Sequence, residues 1–142
     1  MIKPIMKSEF FLRLPSEDAG PDDAATGQDL LDTLHEHEHE CVGLAANMIG
    51  VRKRIICVKD GNRALLMYNP QILEQVNAYQ TSEGCLSLAG ERPCTRYRRI
   101  KVEYLDENFV HRIKNFSGYT AEIIQHEIDH LSLIHISEPT RL

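Results

Sequence analysis

The chain has 142 residues, of which 42% are hydrophobic and 26% are charged, and its formal net charge is -5. This composition is typical of one soluble globular domain with a hydrophobic core, and it excludes a disordered or fibrous chain. The negative charge argues against a general nucleic-acid-binding protein, because neutralising phosphates needs clustered lysine and arginine.

The cysteine pattern and the apolar runs predict where the protein resides. The four cysteines lie at irregular spacings without a C-x-x-C pair, and no secretory leader precedes them. No apolar run approaches the roughly 18 residues that a membrane span needs. We therefore expect a cytoplasmic protein with reduced thiols that contacts neither membrane nor nucleic acid directly. The basic stretch from Arg92 to Lys101 is interpreted as the solvated face of a strand.

The N-terminal part predicts one surface helix from Pro21 to Glu38. Apolar residues recur there at near-helical spacing, and two aspartates occupy the favoured first turn. The run HEHEHE, from His35 to Glu40, follows at the end of this helix. His35 and His39 are spaced to share a metal ion, but glutamates that alternate with histidines favour a solvated helix end.

The middle of the chain predicts strands joined by tight turns. Short β-rich runs follow: one around Ile55 to Val58, a DGN turn at 60–62, and then ALLMYNP and QILEQVNAY. A second pair, RIKVEYL and FVHRIKNF, flanks a turn at Asp106 to Asn108. From Ser117, SGYTAEIIQHEIDH predicts a helix that Ser117 caps. This order predicts an α+β domain in which helices pack on an antiparallel or mixed β-sheet.

The last predicted helix contains an H-E-x-x-H pattern that starts at His126 and ends at His130. Residues four apart share a helix face, so both imidazoles can bind one ion while Glu127 lies beside a remaining coordination position. A metal-bound water has a pKa near neutrality, and a neighbouring carboxylate can take its proton and pass it on. The pattern also arises on polar helices without any metal, which is the alternative at this point.

A third ligand is expected upstream, because few residues follow His130. Cys85 is the candidate, since EGCLSL places its thiol between a glycine and a strand-like apolar alternation. Gly84 permits a close approach of the backbone. A set of one cysteine and two histidines leaves a fourth coordination position open. The alternative is a buried cysteine with histidines on a helix face.

Three motifs in this order resemble the signature motifs of peptide deformylases. GLAANMIG at Gly43 to Gly50 is similar to the first motif, EGCLSL to the second, and QHEIDH to the third. The resemblance spans Val42 to His130, and residues 1–130 are expected to form one deformylase-like domain. It implies a sheet packed with an N-terminal helix and a central metal-binding H-E-x-x-H helix.

Similar enzymes remove the formyl group from the N-terminal methionine of newly made bacterial or organellar polypeptides and release formate. The resemblance implies a metal at Cys85, His126 and His130 that polarises the formyl carbonyl and delivers hydroxide. Glu127 would then move the water proton to the departing nitrogen. Fe(II) is the expected ion, and Zn(II) or Ni(II) can occupy the same site. The expected partners are N-formylmethionyl nascent peptides in a bacterial cytoplasm, with a transient ribosome contact.

The resemblance also implies which residues bind the substrate. Backbone groups at Gly43 would pair with the peptide as an added strand, and the backbone N–H of Leu86 would help to hold the oxyanion. Ile124, Val42 and Leu44 would wall a methionine pocket, although each is also an ordinary core residue. The full substrate-binding set is Val42, Gly43, Leu44, Met48 and Gly84. Asp129 is expected either to orient a ligand or to lie on the surface.

The first motif departs from the family pattern at two positions. Cys41 stands where glycine is usual, and Met48 stands where a glutamine normally donates a hydrogen bond to the oxyanion. A methionine sulfur cannot donate, and losing one such donor typically lowers the rate by a factor of about 100 to 1000. The sequence therefore predicts a weak deformylase. The alternative is a deformylase-like paralogue that binds peptide N-termini with little or no turnover, and EGCLSL disfavours a generic metallopeptidase.

The end of the chain departs from the family in another way. The stretch LSLIHISEPTR resembles the translation of a sequencing-library adaptor. We expect residues 131–142 to be an artefactual tail that replaces a further natural segment, so His135 is not a candidate ligand.

Overall fold

The computed structural model describes residues 1–84 and 90–131. Cys85 and Leu86 therefore lie outside the described residues, as do 132–142. The α-helices are α1 (Glu9–Leu12), α2 (Ala24–Glu36) and α3 (Gly118–His130), and 3-10 helices lie at Pro21–Asp23 and Ala46–Ile49. The strands are β1 (Gly43–Ala45), β2 (Ile55–Asp60), β3 (Arg63–Gly84), β4 (Glu91–Leu105) and β5 (His111–Ser117).

Within the described ranges, five strands form one antiparallel sheet in the order β1-β2-β3-β4-β5. Neighbouring strands are also consecutive in the sequence, so each pair needs only a short connection. The two turns predicted from the sequence are connections of this short kind. Gly61, with φ of +65°, joins β2 to β3, and Asp106 Oδ1 accepts backbone hydrogen bonds from Asn108 and Val110 between β4 and β5. The predicted α+β class is confirmed.

The prediction of two separate strands at ALLMYNP and QILEQVNAY is wrong, because both belong to the 22-residue strand β3. The irregularity at Asn69 and Pro70 looks like a turn in the sequence. In the structure it is a register shift in the pairing with β4, and Asn69 has φ of 55°. The Asn69 side chain exchanges two hydrogen bonds with the backbone of Ala19, which holds this bent part of the strand in place.

Helix α2 lies within the predicted helix from Pro21 to Glu38 and packs on β2. Its buried face carries Leu30 and Leu34. A Cβ at Gly27 would overlap the Tyr68 hydroxyl oxygen, so glycine lets this helix pack close to β3. None of the helices within the described ranges has the length and the apolar character needed to cross a bilayer.

Helix α3 begins after Ser117, as predicted, although the serine side chain makes no capping hydrogen bond. The helix packs against β1, β2 and β4, and Ala121 and Ile124 are fully buried at this contact. Gln125 forms hydrogen bonds with both the N–H and the C=O of Tyr97 in β4. This side chain therefore fixes the last two turns of α3 over the sheet, close to the end of β3.

Candidate active site

The two histidines of the H-E-x-x-H pattern converge on one point. The ligand atoms of His126, Glu127 and His130 all lie within 4.8 Å of one another. The two imidazole centroids are 5.0 Å apart, with their planes at 56°. His130 and Glu127 are buried, and the His126 side chain is 15% exposed. One ion can therefore contact both rings while one side of the site stays open to a cavity.

A carboxylate from the sheet orients the first histidine. Glu83, at the end of β3, places Oε1 2.7 Å from His126 Nδ1. Burial alone would raise the pKa of Glu83, but hydrogen bonds from His126 and Arg96 outweigh it and hold the pKa well below its usual range. An ionised carboxylate can only accept a hydrogen bond, so this contact favours the tautomer in which His126 donates through Nδ1 and in which Nε2 is the nitrogen that could bind an ion.

Glu127 lies in the environment expected of a proton-transferring carboxylate. Burial raises the pKa of Glu127 to about 7, against the attraction of His126, which lowers it. Its Oε1 atom is buried and has no hydrogen-bond partner among the described residues. A buried carboxylate oxygen without a partner is costly, which indicates that a ligand or a water belongs beside it.

Gly43 of β1 lies directly against this carboxylate. A Cβ at Gly43 would lie 2.7 Å from Ile123 Cγ2 and 3.0 Å from Glu127 Oε2. Both distances are shorter than real Cβ contacts allow without movement of a neighbour. Glycine at this position therefore lets the edge strand approach α3, and it leaves room for the Glu127 side chain.

The site opens into a cavity of about 580 Å³. Of the predicted substrate contacts, the cavity is lined by Val42, Gly43, Met48 and Gly84, together with His126 and Glu127. Gly84 precedes Cys85 in the sequence, but the thiol and the Leu86 backbone lie outside the described residues. Leu44 and Ile124 are fully buried and do not line the cavity, so both pack in the core.

The sulfur of Met48 and the amide nitrogen of its neighbour Asn47 are both engaged in hydrogen bonds. The Met48 side chain is buried, and its sulfur accepts a hydrogen bond from the Ala45 N–H at 3.3 Å. Asn47 Nδ2 donates to the carbonyl oxygen of His130 at 2.5 Å, so its amide ties the 3-10 helix to the end of α3. Neither side chain offers the cavity the donor that a glutamine at position 48 supplies.

The interpretation of the basic stretch from Arg92 to Lys101 as a solvated face is wrong for Arg96. This side chain is buried between Glu83 and Asp129 and makes charge-assisted hydrogen bonds to both. Asp129, whose side chain is 28% exposed, is therefore one arm of an ion network at the edge of the site. Strand alternation places Arg96 on the same face as the half-buried Cys94, but that pattern does not reveal its carboxylate partners.

The histidines of the HEHEHE run contact neighbouring glutamates. His35 Nδ1 lies 3.3 Å from Glu38 Oε2, and His37 Nδ1 lies 2.6 Å from Glu40 Oε1. His39 is almost fully exposed. These pairs, three residues apart at the end of α2, agree with the predicted solvated helix end.

Comparisons with known proteins agree with the geometry of the site. Residues 6–139 match the sequence profile of the polypeptide deformylase family. A peptide deformylase of Clostridium beijerinckii is 52% identical over 92% of this chain and 96% of its own length. A Met-Ala-Ser-bound class I type b peptide deformylase from Acinetobacter baumannii is 28% identical, with a TM-score of 0.83 over 92% of this chain and 94% of that one. The peptide deformylase of Thermotoga maritima is 27% identical, with a TM-score of 0.88 over 100% of this chain and 99% of that one.

Proposed function

The chain belongs to the polypeptide deformylase family, and we propose that one metal-binding triad and one carboxylate carry out its reaction. That reaction is hydrolysis of the formyl amide of N-formylmethionyl peptides, which releases formate and a free amine. The proposed ligands are Cys85, His126 and His130, and the proposed proton-transferring residue is Glu127. The observation that carries this assignment is the convergence of both imidazoles and the carboxylate, with His126 and Glu127 at the wall of one cavity.

The donor set fits a divalent ion of intermediate softness. Two imidazoles and one thiolate suit Fe(II), Zn(II) and Ni(II), and we propose Fe(II) as the native ion. Such an ion supplies Lewis acidity, which polarises the formyl carbonyl and makes a water proton easier to remove. The chain contributes the orientation, because Glu83 fixes the His126 ring through Nδ1.

Glu127 is proposed to act first as a general base and then as a general acid. Its carboxylate lies beside both imidazoles in a buried setting, so it can accept a proton from the attacking water. It then donates that proton to the peptide nitrogen as the carbon–nitrogen bond breaks. Exclusion of bulk water around a buried carboxylate keeps the proton on this path.

Strand β1 is proposed to bind the peptide backbone. It is an edge strand and pairs with β2 alone among the described strands. Val42 and Gly43 line the cavity beside Glu127, so a peptide that pairs with β1 would bring its N-terminus to the carboxylate. Pairing through the main chain tolerates many side chains, as processing of many different new proteins requires.

Met48 is proposed to limit the rate. The thioether accepts the Ala45 N–H but cannot donate to an oxyanion, so one stabilising hydrogen bond is missing. In a Met48→Gln variant, the side-chain oxygen can accept the Ala45 N–H while the amide nitrogen donates towards the cavity. The methionine at position 48 is also the one observation that favours the alternative, a paralogue that binds peptide N-termini without turnover. The position and burial of Glu127 favour the hydrolase instead.

Formate release tests this proposal. Protein loaded anaerobically with Fe(II) is expected to release formate from formyl-Met-Ala-Ser and to leave acetyl-Met-Ala-Ser intact; oxygen is excluded because a metal thiolate oxidises. Glu127→Gln should lower kcat by a factor of about 100 to 10,000 and still bind metal. Glu40→Gln, which removes a carboxylate from the rim of the same cavity, is the matched control. A Glu127→Gln enzyme as fast as this control would refute the role of Glu127.

We also propose that the protein acts in the cytoplasm on nascent chains, with a transient ribosome contact. Formylated N-termini exist while chains are being made, which supports this proposal. Co-sedimentation of the protein with translating ribosomes, compared with empty ribosomes, measures that contact.

A further inference from the structure

Arg96 is a buried cation that the proposed reaction does not use directly. Its side chain is 5% exposed, although it lies on a strand in which Arg98 and Arg99 are exposed. We propose that Arg96 is a positioning residue that sets the metal affinity of the site by fixing both His126 and the last turn of α3. This proposal rests on the proposed metal site.

The guanidinium of Arg96 holds one carboxylate from the sheet. Its Nε donates to Glu83 Oε2 at 2.9 Å, and its Nη2 donates to Glu83 Oε1 at 2.7 Å. Two parallel hydrogen bonds of this kind fix a carboxylate in position and in plane. Glu83 therefore has little freedom to rotate away from its third contact.

The third contact of Glu83 is with His126, the first of the two histidines proposed to bind the metal. Glu83 Oε1 accepts from Arg96 Nη2 and also lies 2.7 Å from His126 Nδ1. The carboxylate thus holds the His126 proton on Nδ1 and turns Nε2 towards the proposed ion. A second partner that fixes the tautomer and the ring angle of a ligand typically changes metal affinity by a factor of about 10 to 100.

The same arginine also holds the helix. Its Nη1 donates to Asp129 Oδ2 at 2.6 Å. Asp129 follows His126 by three residues and precedes His130, so this contact fixes the helical turn that separates the two histidines. Arg96 in β4 therefore links the end of β3 to the metal-binding turn of α3, and it sets both the side-chain and the backbone geometry of the site.

A lysine cannot reproduce these contacts. The planar guanidinium offers five N–H donors in a fixed fork, whereas an ammonium group is a compact charge that cannot hold a carboxylate in one plane. Arg96→Lys keeps the positive charge between Glu83 and Asp129 but loses the fork. Arg96→Met keeps the length and apolar volume of the side chain but leaves two carboxylates without this cation.

Metal affinity separates a positioning role from a merely structural one. We would measure the Kd for Zn(II) by competition with a chromophoric chelator, on folded apo-protein, for Arg96→Met and Arg96→Lys. Arg98→Met is the matched control, because Arg98 lies on the same strand, exposed, with its guanidinium 4.5 Å from the centre of the Tyr79 ring. We expect a Kd about 10 to 100 times weaker for Arg96→Met, a smaller loss for Arg96→Lys and no change for Arg98→Met.

A second readout follows the histidine itself. Long-range proton–nitrogen NMR spectra of the apo-protein report the His126 tautomer, which should be the Nδ1–H form in the wild type and a mixture in Arg96→Lys. If Arg96→Met does not fold, Arg96→Lys and Asp129→Asn decide the question through the same two measurements. Unchanged Kd and unchanged tautomer in these folded variants would overturn the proposal. Failure of the wild type to bind any divalent ion would instead overturn the metal site on which it rests.

Discussion

Gly43→Ala tests how closely the edge strand β1 must approach helix α3. The new Cβ would lie 2.7 Å from Ile123 Cγ2, whereas an ordinary contact begins at 3.4 Å, so β1 and α3 must separate by about 0.7 Å (3.4 minus 2.7). Overpacking of this kind typically costs about 1 to 3 kcal/mol of stability. Because Glu127 Oε2 lies only 3.0 Å from the same Cβ, the carboxylate that we propose to transfer protons moves as well.

Two assays separate these effects. Urea unfolding should show a stability loss of about 1 to 3 kcal/mol, and kcat/KM for formyl-Met-Ala-Ser should fall by a factor of about 10 to 100, because misplacing a catalytic group by about 1 Å can cost this much. Gly20→Ala is the control, since a Cβ there has no neighbour within 4 Å. If Gly43→Ala retained both the stability and the kcat/KM of Gly20→Ala, the account of this contact would be incorrect.

Three further predictions concern the rate, the metal and the substrate. Met48→Gln should raise kcat/KM by a factor of about 100 to 1000, and no gain in formate release would show that the missing donor is not limiting. Removal of the metal with a chelator should lower Tm, since an ion at about 100 times its Kd stabilises the folded state by about 2.7 kcal/mol; equal Tm values would argue against a bound ion. Formyl-Met-Ala-Lys should be a better substrate than formyl-Met-Ala-Glu, and added salt should reduce the difference. The reason is the charge of the cavity, because no lysine or arginine is found among the described residues that line it. Its carboxylates are Glu38, Glu40, Glu83, Glu91, Glu122 and Glu127.

The sequence predicted the parts of the site that depend on local geometry. His126 and His130 converge because residues four apart share one helix face, and that helix was evident from its apolar spacing. The turns at Gly61 and Asp106 were predicted for the same reason, since turn residues act over a few positions.

Contacts between distant parts of the chain could not be predicted from the sequence. The burial of Arg96 depends on Glu83, 13 residues before it, and on Asp129, 33 residues after it, and no periodicity links the three. The continuity of β3 was missed because Asn69 and Pro70 are also typical turn residues. The backbone pairing shows one bent strand, which pairs with β2 over residues 63–68 and with β4 at Tyr68 and from Gln71 to Gly84.

X-ray absorption spectroscopy of the zinc-loaded protein tests the central claim most directly, because it reports the atoms around the ion. One sulfur at about 2.3 Å and two imidazole nitrogens at about 2.0 to 2.1 Å are predicted, from Cys85, His126 and His130. Loss of the sulfur signal in Cys85→Ser, with both nitrogens retained, would support the assignment. A shell of nitrogen and oxygen atoms without sulfur in the wild type would contradict it.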